Sequence, residues 1–564
     1  MGKAAMVKMN AWQMVVRALE IEGIPFVFGL PGNPKHLYDQ LYDSPSVRPV
    51  LVRHETSGSF MAMAHSRLTG QVGVCFGCPG PGIANLVPGI LEAYSGCTPV
   101  LALGVRASQK TEGMGAFQET DHLGMMRPIT KWAITLERAD RIGWTIRRAI
   151  SIATSGKPGP VYVEIPADIA LEPVEMPDYV AANRSIRPGP DPDQIEQLVD
   201  LLQQAKRPAI VCGGGSILSR AFAEVEAIAN GLGIPILVTP AGRGIIAENH
   251  PLFAGSVGLY RTEYPREVYQ EADLLITVGS RMEEFQSGIW NYFPQGARFV
   301  QIDIDPFEFG RNWIPDLAIQ SDAALALRAL LDAAVKRGLS ANETRVSNLQ
   351  ARQLDAIAAM LVDANDDASP IKGKRIVREI NEVFGDNTIL ALENGGQDLW
   401  AYYWPYYQVL DAGCVLPPAE QTVMGLGVCG AIAAKLAQPE RQVVSTTGDG
   451  AFQMAMHELP TAVQEGAPVT WVVFNDGALG WPQVTQRENL GGRIIATDFT
   501  APFDFVKVAQ AAGCWATRVE AASDLHTALE SARRANLNGQ PAVVDVHVDP
   551  IEHHAGFVEY HNLR

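Results

Sequence analysis

The 564-residue sequence lacks the features that would place a protein in a membrane or outside the cell. No apolar run reaches the roughly 18 residues that a membrane helix needs. The opening segment, MGKAAMVKMNAWQMVV, has no apolar core followed by a cleavage site. Cysteine is scarce, and its 7 residues are an odd number, which argues against a disulfide scaffold and fits a reducing compartment. We therefore expect a cytoplasmic protein.

Positive charge is also in short supply. Lys and Arg total 45 against 62 Asp and Glu, so the formal net charge is −17. An acidic chain with scattered basic residues is a poor candidate for binding nucleic acid. Charged residues make up only 19% and hydrophobic residues 47%, a composition typical of globular domains and not of disordered chains. We expect small molecules as partners, and neither nucleic acid nor membrane.

Short β-rich apolar runs alternate with helical stretches along the chain, a pattern typical of α/β domains with parallel sheets. A Pro- and Asp-rich stretch and a polar helical stretch interrupt this pattern. We therefore predict three consecutive α/β domains, each with a parallel sheet. They are an N-terminal domain over 1–185, a Rossmann-like central domain over 186–345 and, after a linker over 346–373, a C-terminal domain with a terminal lid or tail over 374–564.

The most informative stretch runs from Val443 to Gly477. One predicted strand ends at Gly448-Asp449-Gly450, and after 24 further residues the next strand ends at Asn475. That spacing fits one crossover helix and one strand, and a right-handed crossover brings both strand ends to the same edge of the sheet. Glycines let a backbone approach a phosphate, and a carboxylate, an amide oxygen and a nearby carbonyl suit Mg²⁺. The stretch predicts a site for Mg²⁺ and a phosphate group.

G-D-G followed by 24 residues and Asn resembles the signature of thiamine-diphosphate enzymes. The resemblance implies the metal ligands Asp449, Asn475 and the main-chain oxygen of Gly477, with thiamine diphosphate and Mg²⁺ as cofactors. Asp476 stands where many members have a second Asn. The earlier run L-V-R-H-E resembles the R-H-E of the acetolactate-synthase-like branch. It implies that Glu55, at a helix start, is catalytic and hydrogen-bonds the pyrimidine ring of the cofactor.

Further stretches resemble motifs of the same family in the same order. They are the G-x-P-G loop, G-P-G-x-x-N, A-F-Q-E, a loop after Glu393 and M-G-x-G. The resemblance implies cofactor contacts from two groups of residues in the two terminal domains, namely Asn33, Pro81 and Asn85, and then Gly396, Gln397, Thr422, Met424, Gly448, Gly450 and Ala451. It further implies that Phe117 faces the substrate and that Gln118 is catalytic.

The sequence of the central domain contains weaker evidence for a binding site. Cys212-Gly213-Gly214-Gly215 follows a strand without forming G-x-G-x-x-G, which disfavours an NAD-dependent dehydrogenase. Val278–Arg281 and Asp303-Ile304-Asp305 resemble positions that hold FAD or ADP in some members, so a nucleotide here is an open alternative. Because Glu55 and Asp449 lie in different domains, and in this family they meet across a subunit interface, the resemblance implies a homodimer at least and commonly a homotetramer.

Several substrates remain open for a carbon–carbon lyase or carboligase of this kind. A 2-hydroxyacyl-CoA lyase, which yields an aldehyde or ketone and formyl-CoA, is favoured by the resemblance of Gly32-Asn33-Pro34 and Met114–Glu119 to that group and to oxalyl-CoA decarboxylase. Glu488 would then transfer a proton to the substrate hydroxyl, and the chain end could cover a CoA thioester. The alternatives are an acetolactate-synthase-like carboligase or a decarboxylase acting on pyruvate or another 2-oxo acid, and a non-catalytic nucleotide-binding homologue.

Overall fold

A computed structural model of the chain describes residues 5–32, 36–182, 186–501 and 503–563. The chain divides into two compact units. The first unit comprises Met1–Ile186, Pro418–Pro439 and Met454–Ala467, and the second comprises Arg187–Pro417, Glu440–Gln453 and Pro468–Arg564. The predicted C-terminal domain therefore contributes segments to both units. Among the described helices, none is long and apolar enough to cross a membrane.

The N-terminal part of the first unit is built on a six-stranded parallel sheet in the order β3-β2-β4-β5-β7-β6, and β1 pairs antiparallel with β8. The strands are β1 Met6–Met9, β2 Phe26–Gly29, β3 Arg48–Leu51, β4 Gly73–Gly77, β5 Val100–Arg106, β6 Trp132–Thr135, β7 Val161–Pro166 and β8 Val174–Pro177. The helices are α1 Ala11–Ile21, α2 His36–Tyr42, α3 Glu55–Thr69, α4 Pro81–Ser95, α5 His122–Met126, α6 Ile142–Thr154 and α7 Ala167–Ala170.

The second unit contains a central parallel sheet in the order β11-β10-β9-β12-β13-β14. Its strands are β9 Pro208–Cys212, β10 Ile236–Val238, β11 Phe253–Ser256, β12 Leu274–Val278, β13 Arg298–Asp303 and β14 Leu317–Gln320. The helices of this part are α8 Pro192–Gln204, α9 Gly214–Leu218, α10 Phe222–Leu232, α11 Glu263–Gln270, α12 Ala323–Lys336 and α13 Glu343–Ala364.

The third parallel sheet also lies in the second unit, in the order β16-β15-β17-β18-β20-β19. Its strands are β15 Thr388–Leu392, β16 Val415–Leu416, β17 Gln442–Gly448, β18 Thr470–Asn475, β19 Trp515–Val519 and β20 Ala542–His547. The remaining helices are α14 Gly373–Phe384, α15 Leu426–Ala437, α16 Asp449–Ala455, α17 Leu459–Gln464, α18 Gly480–Glu488, α19 Phe505–Ala511, α20 Ala522–Leu537 and α21 Ala555–Leu563. Three six-stranded parallel sheets confirm the predicted α/β fold class.

The inner strands are apolar over their whole length because both faces of a parallel sheet are covered by helices. Strand β5, for example, is buried from Val100 to Val105. Helix α3 packs closely on this sheet, since a Cβ on Gly73 of β4 would lie 1.9 Å from the carbonyl oxygen of Ala62. A Cβ on Gly89 of α4 would lie 2.0 Å from Ser59 Oγ of α3. Glycine at these two contacts therefore fixes how closely α3 approaches its neighbours.

Candidate functional site

The start of α3, which carries Glu55, is fixed from two sides within the first unit. The side chain of His54 accepts a hydrogen bond from Thr56 N (3.3 Å) and caps the helix. The fully buried carboxylate of Glu458 accepts from the backbone N–H groups of Arg53 (2.8 Å) and His54 (3.1 Å). Glu55 is thereby the first residue of the helix, as the sequence predicted.

Glu55 meets the predicted G-P-G-x-x-N turn. Asn85 Nδ2 donates to Glu55 Oε2 (2.9 Å), and Thr56 Oγ1 donates to the carbonyl oxygen of Asn85 (2.5 Å). A Cβ on Gly82 would lie 3.2 Å from Glu55 Oε1, a tight contact that would push the carboxylate aside by a few tenths of an ångström. Pro81 opens α4 directly before it. The structure therefore brings together Glu55, Pro81 and Asn85.

The loop that holds Phe117 and Gln118 lies beside the same turn. Gln118 has a left-handed backbone (φ 59°), and a Cβ on Gly80 would lie 3.3 Å from both its Cβ and its carbonyl oxygen. The Glu119 carboxylate accepts from the N–H groups of Gly115 (3.1 Å) and Ala116 (2.9 Å), which closes the loop. Phe117 is 76% exposed and is free to contact another molecule.

Thr422 and Met424 lie in a segment that belongs to the first unit. Thr422 has a φ of 49°, which is strained for a β-branched residue and is more common at functional positions than elsewhere. Gly425 (φ 98°) precedes α15. The turn is held by Ala419 N, which donates to the buried carboxylate of Glu92 (2.5 Å). Burial raises the pKa of Glu92 to about 7.

In the second unit, β17 and β18 are neighbours and both end at the predicted edge of the third sheet. Asp449 follows β17 and is 2% exposed. Its Oδ1 accepts from Gly450 N (2.8 Å) and its Oδ2 from Gly477 N (3.0 Å). The structure therefore brings Asp449 next to the loop after Asn475, as the crossover argument predicted.

Asn475 and Gly477 can both offer an oxygen at this edge. Asn475 Nδ2 donates to the buried Asp545 (2.9 Å), which orients the amide and leaves its oxygen on the opposite side. The Gly477 carbonyl accepts from Phe499 N (2.8 Å) and keeps a second lone pair. Gly477 has a φ of 71°, and a Cβ there would meet nothing within 4 Å.

The electrostatics of this edge suit a divalent cation. Burial, and then repulsion from Asp476, raise the pKa of Asp449 to about 8, and burial raises that of Asp476 to about 6. A buried carboxylate, Asp449, and a half-buried one, Asp476, repel each other here, and a hard cation with oxygen ligands would neutralise them. Asp449, Asn475 and Gly477 therefore fit Mg²⁺ as its donor set.

The predicted diphosphate loop lies in the same unit. Gly396 lies against the backbone of Gly480, because a Cβ added to Gly396 would lie 3.3 Å from the carbonyl carbon of Gly480. Gln397 is 2% exposed, and its Oε1 has no hydrogen-bond partner among the described residues. A Cβ on Gly448 would meet nothing within 4 Å, so the strand end borders open space. The open space beside Gly448 leaves room for a group such as a diphosphate at this strand end. Gly450 and Ala451 follow in the first turn of α16.

The segment that carries Glu488 is a helix, α18. Glu488 is the last residue of α18 and is exposed. Pro482 lies in the first turn of that helix, where proline is tolerated because the N–H groups have no partner in the helix. Helix α21 packs on α18, with the rings of Trp481 and Phe557 4.7 Å apart and Asn489 Nδ2 donating to the His561 carbonyl (2.5 Å). The segment Ala555–Leu563 is therefore a helix that packs on α18 within the second unit.

The glycines of the central sheet have a packing role. Gly215 N donates to the Gly279 carbonyl (2.9 Å), and a Cβ on Gly213 would lie 2.3 Å from that oxygen. The loops after β9 and β12 thus touch backbone to backbone. A nucleotide beside Val278–Arg281 and Asp303–Asp305 stays a prediction. Asn33 lies outside the described residues.

Sequence reasoning missed three buried acids near the predicted site residues, Glu164, Asp398 and Glu458. Burial raises the pKa of Asp398, beside Gln397, to about 7. Glu458 holds the start of α3, and Glu164 binds His122. The sequence did contain a signal for Glu164, because an acid inside the apolar strand pattern V-Y-V-E-I-P is unusual unless it is paired.

Comparisons with known proteins agree with this arrangement. Three family models match the chain, described as the N-terminal TPP binding domain (residues 9–125), the central domain (195–330) and the C-terminal TPP binding domain (395–546) of thiamine pyrophosphate enzymes. Together they support thiamine diphosphate, also called thiamine pyrophosphate, as the cofactor.

Relatives align over nearly the whole chain. The chain is 34% identical over 557 residues to a probable acetolactate synthase large subunit of Methanocaldococcus jannaschii, covering 96% of this chain and 93% of the relative. It is 32% identical over 559 residues to the acetolactate synthase large subunit of Corynebacterium glutamicum, covering 96% and 87%. For that of Cyanidium caldarium the identity is 30% over 548 residues, covering 94% and 92%.

These relatives overturn the preferred reading of the sequence, because they are named acetolactate synthases and not 2-hydroxyacyl-CoA lyases. The error has a physical source. The residues that suggested the lyase, such as Met114–Glu119, lie in a loop beside the Gly80-Pro81-Gly82 turn and Glu55, so they were chosen by their nearness to the cofactor motifs and do not distinguish one substrate from another. The non-catalytic alternative is likewise not supported, since the chain is a thiamine-diphosphate-dependent carbon–carbon carboligase. The chain belongs to the acetolactate synthase-like superfamily of thiamine-diphosphate-dependent enzymes.

Proposed function

We propose that the chain joins two molecules of pyruvate to form acetolactate, with release of CO₂. The observation that carries the product assignment is the full-length similarity to acetolactate synthase large subunits. The Glu55–Asn85 contact and the Asp449–Gly477 contact support the cofactor chemistry. The reaction balances as two pyruvate anions and one proton giving one acetolactate anion and one CO₂.

We further propose how the chain holds its cofactors. Asp449, Asn475 Oδ1 and the Gly477 carbonyl would bind Mg²⁺, and Gly396, Gln397, Gly448, Gly450 and Ala451 would surround the diphosphate. Glu55, Pro81, Asn85 and Thr422 would contact the aminopyrimidine ring, Met424 would hold the cofactor in its bent form, and Asn33 would make a further cofactor contact. When bound, thiamine diphosphate supplies a nucleophilic carbon for the 2-oxo acid carbonyl and accepts the electron pair that loss of CO₂ releases.

Within this proposal, the residues of the chain bind, orient and transfer protons. Asn85 holds one oxygen of Glu55, so the other oxygen is available to hold or move a proton on the cofactor ring. Gln118, beside the Gly80 turn, would orient a substrate carbonyl, and the exposed Phe117 would contact the substrate. For Glu488, at the exposed end of α18, a proton-transfer role remains a prediction.

We also propose that the active protein is a homotetramer, and that a homodimer is the minimum assembly. Glu55 lies in the first unit and Asp449 in the second, and in this family the two are contributed by different chains. Each dimer would then contain two sites related by the symmetry of the assembly. A dimer would also cover exposed apolar side chains such as Phe117 and Met114, which are 76% and 77% exposed.

The experiment that tests the proposed function is a product assay with pyruvate as the sole substrate. The protein, supplied with thiamine diphosphate and Mg²⁺, should give acetolactate and CO₂ in equal amounts. Acetaldehyde with CO₂ and no acetolactate would show a decarboxylase and contradict the proposal, as would the absence of any turnover. The Glu55→Gln variant, assayed in parallel, should form product at least about 100-fold more slowly.

A further inference from the structure

A buried polar network lies behind the turn that approaches Glu55. Glu164, in the middle of β7, is fully buried and accepts four hydrogen bonds. Thr135 Oγ1 (2.5 Å) and Arg106 Nη1 (3.0 Å) donate to Oε1, while His122 Nδ1 (3.0 Å) and Tyr162 OH (3.1 Å) contact Oε2. A carboxylate has about four lone-pair positions, so this one is fully used.

His122 connects this carboxylate to the turn. The N–H group of Gly80 donates to His122 Nε2 (2.9 Å), so Nε2 is an acceptor and the proton of the ring lies on Nδ1, where it bonds Glu164. His122 is fully buried, and one tautomer satisfies both of its nitrogens. The ring is therefore held in a single orientation between Glu164 and the Gly80 backbone.

The same carboxylate connects to the loop of Gln118. Arg106, which bonds Glu164, also forms an ion pair with Glu112 at the start of that loop. Gln118 packs on the far side of Gly80, whose φ of 64° places this turn in a conformation that favours glycine. Glu164 therefore connects both loops that carry predicted site residues beside Glu55.

Burying a network of charged groups costs free energy, and filling the core does not by itself require it. Buried charged groups need several exact partners, and apolar residues of similar volume are often at least as stable. The bonds of this network lead to the Gly80 turn and to the 112–119 loop. These directional hydrogen bonds fix the position of the two loops relative to each other, which apolar side chains could not do.

We propose that His122 and Glu164 are positioning residues of the site, which hold the Gly80 turn and Gln118 at a fixed distance from Glu55. This inference rests on the proposed function for its kinetic consequence, but its structural part does not depend on the substrate. Small displacements of a positioned group lower the rate of the chemical step more than they lower substrate binding.

The test compares His122→Leu, which removes the acceptor for Gly80 N–H, with His122→Gln, whose amide oxygen can replace Nε2. The control is His65→Leu, because His65 is as buried as His122 but lies in α3 against Phe26 and Phe28. Two quantities are measured, namely amide hydrogen exchange of residues 78–86 and 112–119 in cofactor-free protein, and kcat and KM for pyruvate at saturating cofactor.

His122→Leu should speed exchange in both segments by about tenfold or more. It should lower kcat by about 100-fold and change KM by less than about threefold. His122→Gln should restore slow exchange and most of kcat, and His65→Leu should leave both segments unchanged. Wild-type exchange and kcat in His122→Leu would overturn the proposal, as would equal loss in the Leu and Gln variants.

If His122→Leu does not fold, Glu164→Gln replaces it. This variant keeps the shape of the side chain and loses the charge that binds Arg106, so exchange should increase in 112–119 more than in 78–86, and unchanged exchange in both would overturn the proposal. If the wild-type protein does not turn over pyruvate, the proposed function fails while the exchange comparison still decides whether His122 positions the turn.

Discussion

At the scale of single residues, hydrogen bonds from neighbouring residues fix the position of the Glu55 side chain. The Glu458 carboxylate binds the two backbone N–H groups before it, and Asn85 binds one of its oxygens. These contacts leave few conformations for the side chain, which is the condition for efficient proton transfer at a defined atom.

Replacing Glu55 by Gln should therefore remove turnover without unfolding the protein. The amide keeps the size of the side chain but cannot carry the proton, and general acid–base groups contribute about 100- to 10,000-fold in rate. We expect a loss of kcat in this range with thiamine diphosphate binding reduced by less than about tenfold, measured by steady-state kinetics and cofactor titration. A variant with more than about half the wild-type kcat would contradict this role.

Asp449 should make cation binding depend on pH. Its pKa is raised to about 8 by burial and by Asp476, so below pH 8 the carboxylate must lose a proton before it binds Mg²⁺. Apparent Mg²⁺ affinity should therefore rise from pH 6.5 to 8, by up to about tenfold per pH unit. Calorimetric titration in two buffers of different ionisation enthalpy measures the released proton.

The matched control for this pH dependence is Asp476→Asn, because it removes the repelling charge and should lower the pKa of Asp449. The pH dependence of Mg²⁺ affinity should then be weaker than in the wild-type protein. Equal Mg²⁺ affinity at pH 6.5 and 8 in the wild-type protein would contradict the assignment of Asp449 as a ligand.

At the scale of elements, α3 carries Glu55 and is held in place by contacts that only glycine permits. Gly73 lets the backbone of β4 approach Ala62, and Gly89 lets α4 approach Ser59. The position of a catalytic side chain therefore depends on two residues that are distant from it in the sequence and have no chemistry of their own.

Gly73→Ala should destabilise the first unit by about 1–3 kcal/mol, because the added methyl group would overlap the carbonyl of Ala62 and force the helix outwards. Chemical denaturation followed by tryptophan fluorescence measures this change. The control is Gly231→Ala in α10, whose Cβ would lie 3.3 Å from the flexible end of the Leu331 side chain. Equal stability of the two variants would contradict the packing argument.

At the scale of the whole molecule, the predicted catalytic residues are divided between two units. If each site takes Glu55 from one chain and Asp449 from another, two inactive variants can complement each other. In a mixed dimer of Glu55→Gln and Asp449→Asn chains, one site would hold both substitutions and the other would hold neither.

Co-refolded Glu55→Gln and Asp449→Asn chains should therefore recover about a quarter of wild-type activity, since about half the dimers are mixed and each has one intact site. Each variant alone should remain inactive. Light scattering of the mixture should show a dimer or a tetramer. A mixture as inactive as its components, although mixed dimers have formed, would show that each chain holds complete sites of its own.

The parts of the fold that local pattern determines were predictable from the sequence. Asp449 and Asn475 could be placed at one sheet edge because parallel strands and right-handed crossovers leave little choice. The helix at Glu488 was not predictable, because Gly480 and Pro482 suggest a loop when read without their packing. The His122–Glu164 network was not predictable either, because its partners are 42 residues apart in sequence. The substrate was misread because the motifs in the sequence describe the cofactor site.

The most direct test of the central claim is a reconstitution of cofactor-free protein with [2-¹³C]pyruvate, followed by NMR. With both thiamine diphosphate and Mg²⁺ present, the label should appear at two adjacent carbons of acetolactate, because each pyruvate contributes its carbonyl carbon to the new bond. Omission of either cofactor should stop the reaction. Acetolactate formed without thiamine diphosphate, or no acetolactate with both cofactors present, would contradict the account.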